Sequence, residues 1–179
     1  MIRPLVSGDA SLGLESWIED ENAAAMLNTE RRKWTVAQQA EYFAKHETDP
    51  GRHILGIFPK QSKHPIGLFI VRTKPKQGVF TISHLIGDPA WRGNTTTFDS
   101  AELIYDYFFN VLGYAKAKAN VRPENRAMLW LMYNYVWRLE ARLSKHLRLS
   151  ATKERSDLLA FGMLAEDWRA FHDSARRNP

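Results

Sequence analysis

The sequence contains no cysteine, which excludes disulfides, cysteine nucleophiles, thiolate zinc sites and cysteine-ligated iron–sulfur clusters. No apolar run approaches the ~18 to 20 residues that span a bilayer. The opening Met1-Ile2-Arg3-Pro4 lacks the apolar stretch of a signal peptide, so a soluble, cytoplasmic protein with no membrane partner is expected. Its 25 basic residues outnumber the 20 acidic ones only enough for a formal charge of +5. They form no run of about five like charges, so the basic arm of many nucleic-acid binders is missing and no nucleic-acid partner is expected. The six histidines, His46, His53, His64, His84, His146 and His172, stand far apart without ligand spacing, and no metal site is expected. There is no nucleotide-hydrolase phosphate loop, dinucleotide fingerprint, paired-histidine metalloprotease helix or serine elbow. Glycosidase, kinase and nuclease readings therefore have no support.

What is present is a globular composition, with 44% hydrophobic and 25% charged residues in 179. That length suits one domain with its own core. We expect a single domain over residues 1–174 and a frayed tail over 175–179. Ile2 to Val6 reads as a strand, and two short helices follow around Leu12, Trp17, Ile18 and Ala23 to Leu27. A helix over Val36 to His46 has Thr35 and Gln38 as a capping box and Ala40, Phe43 and Ala44 as its apolar stripe. His53 to Phe58, Pro65 to Arg72 and Gly78 to Ile86 are β-rich runs separated by turn residues, expected as consecutive antiparallel strands. Ala101, Ile104, Tyr105, Phe108, Val111 and Leu112 mark one face of a helix that ends at Gly113. Ala115 to Val121 alternates like a half-buried strand, and Pro123-Glu124-Asn125 opens a helix with Met128, Leu131, Met132 and Tyr135 inward. Strands over Arg138 to Leu149 and Asp157 to Leu164 and a helix through Trp168 and Phe171 complete the chain.

One segment carries chemistry: Ser83 to Thr97 runs from a strand end through a polar loop into a helix. A helix N-terminus presents N–H groups and partial positive charge, Gly93 permits close backbone approach, and Arg92 adds a formal charge. Phosphate or pyrophosphate is the natural guest of such a junction, and an ordinary strand-to-helix turn with a solvated Arg accounts for the same residues. The 21 aromatic residues fall mostly within strands or on apolar helix faces, which assigns them to core packing over base stacking.

The order of these elements resembles the GNAT superfamily of acetyl-CoA-dependent N-acetyltransferases, most closely the branch related to the ribosomal-protein N-terminal acetyltransferases. The resemblance runs through the Ile-Arg-Pro-Leu opening, the Trp-Thr-Val-Ala-Gln-Gln helix start, Asp-Pro-Ala-Trp-Arg-Gly, Tyr-Phe-Phe-Asn-Val-Leu-Gly-Tyr, Asn125-Arg126-Ala127 and a late Glu-Asp-Trp. It implies an α+β acyltransferase fold: a twisted, mostly antiparallel sheet with one splayed parallel strand pair and helices on both faces. It implies acetyl-CoA as co-substrate and a primary amine as acceptor, on a protein N-terminus or a small molecule, in a monomer or homodimer. A degenerate member that binds acyl-CoA or a protein without catalysis is the alternative, and acetylation of a hydroxyl or sugar amine is a third reading.

Carried over residue by residue, Leu85, Ile86 and Gly87 would line the pantetheine arm. Arg92, Gly93, Asn94, Thr95, Thr96 and Thr97 would receive the pyrophosphate, with Asn125 near the cofactor or simply capping its helix. The family pattern Arg/Gln-x-x-Gly-x-Gly/Ala is broken by Thr95 and Thr97. A β-branched residue costs roughly 1 kcal/mol or more where φ must be positive, and threonine hydroxyls would offset this by donating to phosphate. The family's helical tyrosine, which protonates the leaving thiolate, is replaced by Met132. His84 is the candidate base, with a structural histidine on the Phe80, Ile82, Ile86 face as the other reading. Ser83, on the opposite face, is a candidate hydrogen-bond donor to substrate.

Overall fold

Strand alternation and helix capping place most elements where the sequence puts them. The computed structural model describes residues 1–27, 33–93 and 95–177. Its strands are β1 (Ile2–Pro4), β2 (Arg52–Ile57), β3 (Gly67–Lys74), β4 (Val79–Ile86), β5 (Lys116–Val121), β6 (Arg138–Arg148) and β7 (Arg155–Leu164). The α-helices are α1 (Glu15–Glu19), α2 (Glu21–Met26), α3 (Val36–Glu47), α4 (Thr96–Asp106), α5 (Arg126–Asn134) and α6 (Ala165–Arg177). One seven-stranded sheet has the order β1-β2-β3-β4-β5-β7-β6. The β4–β5 pair is parallel and joins three residues of each strand, from Val79↔Lys116 to Thr81↔Lys118. β1–β2, β2–β3, β5–β7 and β6–β7 are antiparallel.

The contacts gather into two compact units. The first takes Met1–Thr73 and Ile82–Leu103, the second Lys74–Thr81 and the chain from Ile104 onward, so β4 contributes to both. In the first unit Leu5, Leu14, Trp17, Phe43, Ile54 and Phe58 form the apolar cluster. α3 has the expected capping box: the Gln38 N–H donates to Thr35 Oγ1 at 3.2 Å, and Gln38 Oε1 accepts from the Thr35 N–H at 2.9 Å. Its buried face is turned from the expected one. Gln39 and Phe43 are buried with Tyr42 and His46 half-buried, whereas Ala44 is exposed. The inward stripe is thus 39, 42, 43 and 46, which a hydrophobicity count misses because Gln39 is polar.

The second unit has an aromatic core. Phe80 lies 4.7 Å from Phe108, Phe109 5.8 Å from Trp168, and Tyr105 6.0 Å from Trp137, between ring centroids. After Asp106 the helix widens into a π turn over Tyr107–Val111. The wider turn breaks the 3.6-residue period. Phe108 and Phe109 go inward together, while Val111 and Leu112, expected inside, are 67% and 46% exposed. Gly113 ends the segment at φ +72°, as its placement after a helix predicted. α6 runs to Arg177, into the stretch expected to fray, and 178–179 lie outside the described residues.

The end of β4 is shaped by one contact. A Cβ on Gly87 would stand 1.9 Å from Cδ2 of the Trp17 indole, so only glycine lets that ring lie on the backbone. Gly87→Ala should therefore lower unfolding free energy by about 2 kcal/mol or more, through overpacking. In urea titrations the Gly87→Ala/Trp17→Ala double variant should lose less than the sum of the two single losses, because removing the ring removes the clash.

Candidate functional site

The sequence-predicted residues from Ser83 to Thr97 fall in the first unit, with Asn94 outside the described residues, and Asn125 lies in the second. At the end of β4 the Gly87 and Asp88 N–H groups both donate to the Ile66 carbonyl, at 2.9 and 3.0 Å. The Arg92 guanidinium folds back over this turn. Its Nε donates to the Ile86 carbonyl at 3.0 Å, its Nη2 to the Gly87 carbonyl at 2.9 Å, and its Nη1 to Asp20 Oδ2 at 2.9 Å. The other Asp20 oxygen accepts from the Ala23 N–H at 3.0 Å and caps α2. Arg92 thus ties the last carbonyls of β4 to the start of α2 through charge-assisted bonds.

In the loop beyond, Gly93 takes φ +77° and faces open space where a Cβ would stand. The non-glycine residues with positive φ among those described are Gln61, Lys145 and Lys153. Thr95 is not one of them, so the backbone strain anticipated there does not arise. The Thr95 hydroxyl donates to Asp99 Oδ2 at 2.9 Å, which takes up the proton a phosphate would need. Thr96 begins α4, and the Thr96 and Thr97 carbonyls accept from Ser100 Oγ. Asn125 Oδ1 accepts from the Met128 N–H at 3.2 Å, the N-cap contact. Met132 is buried in α5 and Tyr133 is 60% exposed.

Alternation along β4 separates His84 from Ser83. His84 packs beside the Phe69 ring, centroids 5.7 Å apart, and burial pushes its imidazole down to about 4. It is neutral at pH 7 and a poor proton acceptor. Ser83 and Leu85 instead line a cavity of about 420 Å³, within the size range of small-molecule sites. Its wall also carries Trp17, Trp34, Gln39, Tyr42, Arg52 and Arg72. Trp17 is expected from the sequence as a helix-core residue, and Trp34 and Gln39 belong to the Trp-Thr-Val-Ala-Gln-Gln helix start, but none of the six is expected there as a site residue. The available signal was an arginine at the start of β2, Arg52, and one after the apolar run of β3, Arg72. Among the described residues no group of three or more His, Asp or Glu could hold a metal, and no helix is long and apolar enough to cross a membrane.

The class defined by this sheet order and parallel pair is that of the acetyltransferase fold. The structure matches spermidine N-acetyltransferase from Vibrio cholerae, solved with CoA and spermine, with TM-score 0.83 at 18% identity over 94% of this chain and 97% of that one. It matches a GCN5-related N-acetyltransferase from Brucella melitensis with TM-score 0.80 at 20% identity, over 98% and 80%. A GNAT-family acetyltransferase from Bacillus anthracis gives 0.76 at 16% identity, over 92% and 94%. A search of curated proteins finds no significant match. The family model described as "Acetyltransferase (GNAT) domain" matches residues 1–134, and the chain belongs to that family. It is an acetyl-CoA-dependent acyltransferase whose reaction is acetyl transfer to an amine.

The His84 environment sets a pH dependence. The unfolded chain takes up this proton near pH 6.5 and the folded chain only near 4, so stability falls as pH drops through that window and is recovered above it. His84→Gln should lose less stability than the parent between pH 7 and pH 5, measured by urea unfolding at each pH.

Proposed function

We propose that this chain acetylates the primary amine of a small molecule held in the cavity beside β4. The observation that carries this is the presence of Ser83 and Leu85 in the cavity wall. They lie on the strand whose end, in this family, meets the thioester. A chamber of about 420 Å³ suits a compact acceptor. The Vibrio cholerae enzyme, whose structure holds CoA and spermine, supports a small-molecule acceptor over a protein N-terminus.

Leu85, Ile86 and Gly87 would line the pantetheine arm, and the turn from Arg92 and Gly93 into Thr95, Thr96 and Thr97 would meet the pyrophosphate. The open face of Gly93 and the N-terminal end of α4 fit an anion. Arg92 would act chiefly by holding the Ile86 and Gly87 carbonyls in place. Acetyl-CoA supplies a thioester carbonyl that the neutral amine attacks, the C–N bond forming as the C–S bond breaks. Ser83 Oγ hydrogen-bonds the incoming amine. The neutral His84 is too weakly basic to deprotonate an ammonium directly, so the amine proton goes to water. With Met132 in the family's tyrosine position, the departing thiolate takes its proton from solvent as well.

Acetyl-CoA at 100 times its dissociation constant should stabilise the protein by ~2.7 kcal/mol, read as a rise in melting temperature. Incubation with labelled acetyl-CoA and a panel of amines should transfer label to a small molecule. Binding without turnover would select the non-catalytic alternative. Arg92→Ala should lower the melting temperature without ligand and weaken acetyl-CoA and pantetheine alike. A loss confined to phosphate-bearing ligands would instead place the guanidinium on the pyrophosphate.

A further inference from the structure

The cavity beside β4 has a polarity that the reaction class does not dictate. Arg52 on β2 and Arg72 on β3 are direct cross-strand partners, and both line the cavity. Like charges placed opposite each other across a strand pair destabilise the sheet. No carboxylate among the described residues forms an ion pair with either guanidinium, and none is among the lining residues. Arg52 is held by its Nη2, which donates to the Tyr42 hydroxyl at 2.7 Å, and its carbon Cζ lies 5.6 Å from the centre of the Tyr42 ring. Its Nε is buried without an acceptor. On the facing helix Gln39 is only 3% exposed, and its Oε1 is buried without a donor. A buried amide oxygen and a buried guanidinium N–H left unpaired each carry a desolvation cost that a ligand with the complementary groups removes. Apart from Ser83, the rest of the wall, with Trp17, Trp34, Phe43 and Leu68, is apolar and aromatic.

We infer that the acceptor bound in this cavity is an amine with an apolar, aromatic-sized body and a carboxylate, the carboxylate meeting Arg52 and Arg72 and an N–H meeting Gln39. This rests on the acetyl-transfer reading of the same cavity and narrows its substrate class. A polyamine is disfavoured on the same grounds: its extended positive charge would face two guanidinium groups with no carboxylate among the described lining residues to receive it. Arg52 is the more selective contact, since a planar guanidinium already oriented by Tyr42 loses little freedom in binding a carboxylate. The aromatic walls supply the remaining affinity by excluding water from the ligand body.

Titration calorimetry of the full chain with L-phenylalanine, L-phenylalanine amide and spermidine tests this. L-phenylalanine should bind at least tenfold more tightly than its amide, and spermidine most weakly. Arg52→Gln should reduce the preference for carboxylate over amide to less than threefold, through a larger loss of affinity for the carboxylate than for the amide. If Arg52→Gln fails to fold, Arg72→Gln at an exposed position should reduce the same preference. Equal affinity for phenylalanine and its amide, spermidine binding as tightly as phenylalanine, or no binding of any of the three would overturn the inference. The melting shift with acetyl-CoA, measured alongside, separates the two levels. A shift without phenylalanine binding sinks the carboxylate assignment and leaves acetyl transfer standing. Selective phenylalanine binding without a shift removes acetyl transfer and leaves the cavity a carboxylate site.

Discussion

The three-way clamp of Arg92 on the Ile86 carbonyl, the Gly87 carbonyl and Asp20 is the contact on which the first unit's functional surface depends. The same strand end is held by the Gly87 and Asp88 N–H bonds to Ile66 and by the Trp17 ring against Gly87. The clamp works because Gly87 has no side chain. The Trp17 indole occupies the place a Cβ would take, so the turn packs against an aromatic ring and is bonded by a guanidinium. Asp20 extends the tie to α2, whose first turn it caps. One arginine thereby couples strand, loop and helix through bonds that are each stronger than a neutral pair because one partner is charged.

The cavity shows the opposite economy of charge. Around Arg92 every cationic donor named above meets an oxygen, whereas Arg52 and Arg72 sit opposite each other with Tyr42 as the one described side-chain partner of Arg52. His46, whose ring centroid lies 4.8 Å from that of Tyr42, is pushed below the usual histidine range, first by burial and then by the positive charge of Arg52. A structural site would neutralise such a pair with a carboxylate. Positive charge and a buried amide oxygen that have no carboxylate or donor partner among the described residues, at the edge of an apolar chamber, are the groups the proposed ligand would complete.

Much of the scaffold was legible because its signals are local. Thr35 and Gln38 form the capping box their spacing announces, Ala117, Ala119 and Val121 alternate inward along β5, and Gly113 ends a helix in the left-handed conformation reserved for such residues. The failures are equally specific. A helix with constant period buries Val111 and Leu112 along with Phe108, whereas the π turn at Tyr107–Val111 keeps Phe108 inside, adds Phe109 and leaves Val111 and Leu112 exposed. Gln39 carried no hydrophobic signal, so the inward face of α3 was drawn one residue out of place. At the site, the loop from Ser83 to Thr97 was visible as a strand-to-helix junction, whereas the cavity walls come from residues far apart in the chain.

By itself the sequence determined the elements, their order and hence the family, because capping, alternation and turn chemistry act within a few residues. It also determined that Ser83 and His84 face opposite sides of β4. Tertiary structure alone decided which of those sides is a cavity, that Arg92 turns back onto carbonyls, and that Arg52 and Arg72 stand opposite each other. Those outcomes depend on strand register and on long-range burial, which bring together side chains tens of residues apart and leave no mark in the local pattern.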